Sequence, residues 1–308
     1  MLQAPSAVKP APPTTPITTR SYKVSWRDKL SAIPFLALAI AVVGVVLIVP
    51  WIVTLVRSFF GNVGGDGFVG VDNYIQLFTD PALLGSVVNT LIWVVGSLLL
   101  PVGLGLAIAV ATDSMRLGSV ARLAVVIPYA LSGTAVGIVG YMMFQTGGSI
   151  SQALNFFGLG QLDQAWLLHW PSNVIAGILV ATWNGTGVNV VLFMVGLQTI
   201  PRDTLEAAAL DGAAGFRRFI SIIFPQLRAV TAVVVGLTIA NALRTFDVVY
   251  VLTRGGPGRQ SEVLALSMYR ETFLLFDPAV GSAIAIFLTV IVLAASWIYL
   301  RRQIGNES

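Results

Sequence analysis

Six apolar blocks, at about 32–56, 86–112, 120–145, 172–197, 227–252 and 280–300, fix what this chain can fold into. A run of about 20 apolar residues crosses a hydrocarbon core roughly 30 Å thick as a helix. A soluble core draws its apolar residues at helical or strand period instead of in continuous runs. Charged residues make up only 10% of the chain, where a soluble domain carries about 25%. A membrane β-barrel would need ten-residue segments of alternating hydropathy, and the chain has none. The expected fold is all-α: a polytopic membrane protein of six transmembrane helices, with both termini on one side.

Charge sets the expected orientation. Short cytoplasmic loops collect Lys and Arg. With the N-terminus inside, that side holds Lys9, Arg20, Lys23, Arg27, Lys29, Arg116, Arg122, Arg202, Arg217, Arg218, Arg228, Arg301 and Arg302, which is 13 of the 18 basic residues. The opposite side holds Arg57, Arg254, Arg259 and Arg270, and Arg244 falls inside a block. This distribution, in short flanks of apolar blocks, speaks for a lipid bilayer and against nucleic acid as the partner of a net charge of +4. Residues 1–20 hold five prolines among Ala, Ser and Thr, so 1–25 reads as a disordered cytoplasmic tail and 26–308 as the transmembrane domain. The first block is too long for the core of a cleavable signal.

The polar segment 198–226 interrupts this pattern. Pro201 suits the first turn of a helix, and Asp203 and Thr204 suit its cap. Leu205 to Leu210 is strong helix-forming sequence, and Gly212 permits the positive φ that ends a helix and turns the chain. Phe216 to Phe224 reads as a second short helix, with Phe216, Phe219, Ile220 and Ile223 on one side and Arg217, Arg218 and Ser221 on the other. Pro225 is expected to break it before the fifth span. The result is a two-helix knob with Ala207 and Ala208 at its tip, where another backbone can approach, and Glu206 beside them. An amphipathic connector lying on lipid is the other reading of the same residues.

Glu206, Ala207, Ala208, Gly212, Ile222 and Pro225, at these spacings, resemble the signature of permease subunits of ATP-binding-cassette importers. Phe224 stands where that family has Leu. Phe246-Asp247-Val248-Val249-Tyr250-Val251-Leu252-Thr253-Arg254-Gly255-Gly256-Pro257 and Leu197-Gln198-Thr199-Ile200-Pro201 resemble carbohydrate importer permeases, of the maltose-permease first-subunit type. Tyr269, Phe273, Gly281-Ser282-Ala283 and Asn89-Thr90 also fit. The resemblance implies a bacterial cell-membrane subunit that takes up a di- or oligosaccharide, with a second homologous permease, two ATPase subunits and an extracytoplasmic solute-binding protein as partners. Glu206, Ala207, Ala208, Gly212 and Pro225 would then couple the chain to an ATPase, which would itself bind ATP and Mg. Residues 198–226 contain the coupling loop.

Polar groups inside apolar spans are costly and mark candidate sites. Asn241, Arg244 and Asp247 lie at i, i+3 and i+6. Arg244 and Asp247 are expected to pair, either as a structural ion pair near the external interface or as part of a solute path. Asn184, Thr186 and Asn189 interrupt the fourth span beside Gly185 and Gly187. Carboxamides both donate and accept, which suits hydroxyl groups, and Trp183 offers a face for a sugar ring. Helix–helix hydrogen bonding with small-residue packing is the competing reading. Pro128 and Tyr129 suggest a kink with an aromatic at a cavity. His169 reads as a polar loop residue, and 261–276 as a short surface helix outside the membrane.

No nucleophile–base pair is visible, so no catalytic residue is assigned. A lone His and the absence of Cys leave no metal site or disulfide, and no phosphate loop is present. The chain is expected to bind no cofactor. Two further functions remain on the page: import of glycerol phosphate or a similar polyol phosphate, and a self-sufficient carrier using Arg244 and Asp247.

Overall fold

The structure is a computed structural model that describes residues 37–38, 40–61, 67–113, 115 and 118–304. The expected tail at 1–25 lies outside the described residues. The chain divides into two compact units between Trp51 and Ile52. The first is described only by apolar helical turns, including a wide π turn at Gly44–Ile48 with no buried residue. These turns belong to α1 (Ile40–Arg57).

The second unit is helical. Helix α2 is Asp72–Thr79 and is followed by α3, Pro81–Asp113. The Asp80 carboxylate accepts from the N–H groups of Ala82 and Leu83 at 2.8 and 2.9 Å, and Pro81 occupies the first turn, where no N–H is needed. The cap starts the span at 81 instead of the expected 86. Pro101 lies inside α3 and cannot donate to the turn before it, and the helix widens into a π turn at Leu98–Val102.

The third apolar block is broken. Helix α4 (Gly118–Val126) tightens into a 3₁₀ turn at Ile127–Ala130 around Pro128. After Leu131, Ser132 caps α5 (Gly133–Phe144) with its hydroxyl, and the two pieces bend by 107°. The expected continuous 120–145 span is therefore a bent pair, with its turn at the predicted proline kink. Helix α6 is Ser149–Phe156, and α7 is Ser172–Gln198, within a residue of its expected bounds.

Helices α8 (Arg202–Leu210) and α9 (Gly215–Gln226) form the polar insert. A 74° bend at Leu227 leads into α10, Arg228–Leu243. Pro225 sits inside the last turn of α9, so the break falls two residues later than expected. The expected fifth span 227–252 also ends early. The chain leaves the helix at Arg244 and restarts as α11, Asp247–Thr253. Phe246, at the restart, stacks on Tyr250 and meets Tyr269 edge-on, both at 5.3 Å between centroids. Tertiary packing of this ring, with Asp247 at the new N-terminus, competes with helix continuity.

Helix α12 (Leu264–Tyr269) and a π turn at Arg270–Leu274 precede α13, Pro278–Ile304. Leu264, Ala265 and Leu266 are buried, with Leu264 and Ala265 packed with Val280, Ala283 and Ile284. The expected surface helix over 261–276 is thus buried over 261–267 and exposed only at its end, 273–276. A buried ion cluster holds it: Arg259 pairs with Glu262 at 2.9 Å and Glu271 at 2.8 Å, and Arg270 pairs with the other oxygen of Glu262. Ser267 donates to Glu262 at 2.8 Å. Burial pushes the Glu271 carboxyl above its ordinary value, and Arg259 pulls it part of the way back. The Asn89 amide donates to the carbonyls of Gln260 and Glu262 at 2.8 Å each, and Thr90 accepts from the Leu264 N–H at 2.9 Å.

Among the described residues, four helices are long and apolar enough to cross a membrane: α1, α3, α7 and α13. Counting each bent pair as one crossing gives up to six. Replacing Glu262 by Ala would leave Arg270 and one face of Arg259 without their buried partner, a loss of about 3 kcal/mol. Thermal unfolding of the purified variant is expected to occur well below that of the parent; unchanged unfolding would show that the cluster does not hold the segment.

Candidate functional site

The backbone irregularities of the membrane helices converge. A cavity of about 310 Å³ opens among the π turn of α3, the end of the α4 3₁₀ turn, the middle of α7 and the α10–α11 break. Backbone inside a bilayer departs from the straight helix only where protein or a water-filled space satisfies it. Three of the departures, in α3, α4–α5 and α10–α11, meet at the cavity.

Tyr129, Asn184, Asn189 and Asn241 line it together, joined by Trp93, Ser97, Thr238 and Thr245. Asn184 has a structural task as well, because its amide donates to the Pro128 carbonyl at 2.6 Å and ties α7 to the bend. Its oxygen remains for the cavity. Asn189 is 4% exposed and lies beside the π turn of α3, where a Cβ on Gly105 would sit 2.6 Å from its own. Gly187 lies as close to α4: a Cβ there would meet the Val125 carbonyl at 2.8 Å. Both the hydrogen-bonding and the small-residue readings of this stretch hold, and the cavity is built on top of them. Thr186, by contrast, bonds back to the Thr182 carbonyl at 2.7 Å and is buried.

Trp183, Arg244 and Asp247 do not line the cavity. Trp183 is 44% exposed on the outer flank of α7. Arg244 and Asp247 do not form the expected ion pair: the guanidinium donates to the Ala240 carbonyl at 3.3 Å and to the Asn241 side chain at 3.4 Å. The break between α10 and α11 removes the helical register that the pairing needed. Asp247 instead lies against the start of α5, where a Cβ on Gly133 would be 3.0 Å from its carboxylate. No charged side chain lines the cavity among the described residues. Thr238 and Thr245 carry no distinguishing pattern in sequence, being isolated threonines in an apolar span; Ser97 and Trp93 lie about one and two turns before Pro101.

The insert forms the second candidate site. Pro201 occupies the cap position of α8, with no side-chain cap from Asp203 or Thr204. Gly212 takes φ +75°, a value that favours glycine, and the turn is closed by Ala213 N–H donating to Ala208 at 2.9 Å. Glu206 and Ala207 are exposed, but Ala208 is buried and so is not at an accessible tip. Leu210 and Phe216 are 89% and 76% exposed, whereas Leu205 and Ile223 pack inward. The expected common face of Phe216 and Ile223 is therefore split.

Leu205 and Ile223 rest on a cluster containing Ile200, Leu227, Leu197, Phe193 and Val102. That cluster runs from the knob to the π turn beside the cavity.

The model for the family described as binding-protein-dependent transport system inner membrane component matches residues 100–301. This chain belongs to that family. It is 32% identical over 283 residues to the sulfoquinovosyl glycerol transport system permease protein SmoG of Agrobacterium fabrum, covering 89% of this chain and 90% of the relative. It is also 32% identical over 232 residues to the sn-glycerol-3-phosphate transport system permease protein UgpA of the same organism, covering 74% and 78%. A solved bacterial ABC transporter involved in the import of alginate has the same fold, with a TM-score of 0.75 at 20% identity over 90% of this chain and 98% of that one.

Two asparagines separate structure from solute contact. Asn184→Ala removes the bond to Pro128 and is expected to cost about 1 kcal/mol of stability. Asn189→Ala, with no hydrogen bond to lose, is expected to leave thermal unfolding nearly unchanged and to reduce uptake. Equal stability losses in both variants would contradict this division.

Proposed function

We propose that this permease is one transmembrane half of an ATP-driven importer for a di- or oligosaccharide. The observation that carries the substrate class is the uncharged cavity, with carboxamides and hydroxyls beside the rings of Tyr129 and Trp93. Such groups match a solute that offers hydroxyls on its edges and C–H faces between them. The relatives' names point to a glycoside in one case and a polyol phosphate in the other. A phosphate in the cavity would call for a cation in its lining; Arg244 is not in the lining and spends its guanidinium on the Ala240 carbonyl and the Asn241 side chain. A self-sufficient carrier loses its motif with the Arg244–Asp247 pair.

The chain would catalyse no reaction. It would work with a second homologous permease, two ATPase subunits that carry ATP and Mg, and an extracytoplasmic solute-binding protein, in a bacterial cell membrane with both termini cytoplasmic. Glu206, Ala207, Ala208, Gly212 and Pro225 would couple it to the ATPase. Glu206 and Ala207 offer the exposed contact, and Ala208 and Gly212 hold the turn behind it. Leu205 and Ile223 then carry displacement of the knob into the packed base of α7 and α10, whose middles line the cavity.

Gly212→Pro tests the coupling. Proline fixes φ near −65°, opposite in sign to the native +75°. The variant is expected to insert normally while uptake by the assembled transporter falls at least tenfold. Undiminished uptake would remove the knob from the mechanism. A radiolabelled-solute screen in proteoliposomes tests the cargo: saturable uptake of a polyol phosphate, with no sugar transported, would overturn the carbohydrate assignment.

A further inference from the structure

We propose that the 156–162 tip, between α5 and α7, inserts into the membrane–water interface as an apolar anchor. It lies outside both sites described above. After α5 the chain turns into α6, whose C-terminus is locked: Phe157 N–H donates to Ala153, Gly158 takes φ +72°, and Leu159 N–H donates to Leu154 at 2.7 Å. This is a helix-ending turn of the glycine type. Its base is pinned by Ser151, which donates to Asp163 at 2.8 Å, and by Ile150 packed with Phe144 and Trp166. The turn is thus built, and it presents rings outward. Phe156 and Phe157, in edge contact at 5.3 Å, are 84% and 73% exposed, with Leu159 at 49% and Leu162 at 61%. Each ring left in water forgoes about 1.5–3 kcal/mol of burial.

The occupant is argued from charge and continuity. Residues 145–162 contain no charged side chain, so the surface offers nothing to an oppositely charged protein face and meets no penalty at lipid. It joins two helices whose own outer flanks are apolar and exposed, through Met142 at 59% and Ile175 at 44%. Trp170, 51% exposed just before α7, marks the interfacial level where such rings collect. A short segment with large apolar residues on one side, anchored at that level, partitions into the headgroup boundary.

The chain has no cysteine, so Phe157→Cys introduces a unique thiol for a nitroxide label. In the full transporter reconstituted in phosphatidylcholine–phosphatidylglycerol vesicles, power saturation should show the label colliding more with oxygen than with a water-soluble nickel chelate. A label at Gln164, exposed just beyond the tip, is the reference, expected to shift toward the chelate. Preferential collision of the Phe157→Cys label with the chelate would place the tip in water and overturn the proposal. Low collision with both reagents would place it against a second protein subunit and overturn it equally.

Discussion

A backbone in lipid must satisfy its own hydrogen bonds, and the rest of this structure depends on where that rule is relaxed. Helices α7 and α13 obey it over 27 residues each. Helices α3, α4–α5 and α10–α11 do not, and their departures meet around one cavity. Pro101 and Pro128 supply two of the departures chemically. The third, at Arg244, has no proline; the packing of Phe246 against Tyr250 and Tyr269 favours it. The freed groups are met locally, as when Asn184 takes the Pro128 carbonyl.

The same economy explains the segment between α11 and α13. Glu262 is fully buried, yet it is held by two guanidiniums and a hydroxyl. Asn89 and Thr90 reach from α3 to the backbone of this segment, across about 170 residues of sequence, and Trp170 donates to the Asn89 oxygen at 3.1 Å. A network of ion pairs and amide bonds that ties these segments together favours one arrangement. It fixes one end of the bundle, while the knob sits on the packed cluster around Leu227 and Phe193.

Much of this was legible before the fold was seen. Long apolar runs located the crossing segments because span length is a physical requirement, and α7 matched within a residue. The knob was legible because Pro201, the alanines and Gly212 act locally. Four of the seven proposed pathway residues, Tyr129, Asn184, Asn189 and Asn241, came together for one reason: polar groups in apolar spans are kept only where they have a task. Trp183 sits on the outer flank of an unbroken α7, off the cavity, and Arg244 and Asp247 do not pair because helical periodicity was carried through a break that tertiary packing favours. The burial of α12 was hidden too. The charges flanking it read as solvent-facing until Glu262 and Glu271 found Arg259 and Arg270 in space.

We propose that the meeting point of the broken helices is a water-filled solute path. This chain has no native thiol, so Thr238→Cys on α10 can be probed in the assembled transporter with a small, charged thiol reagent, beside Val195→Cys on the exposed flank of α7 and with the parent transporter as background. Rapid modification at 238, slowed by transported solute, and little modification at 195 are expected. A thiol at 238 that stays unreactive with and without solute and nucleotide, while the transporter remains active, would contradict it.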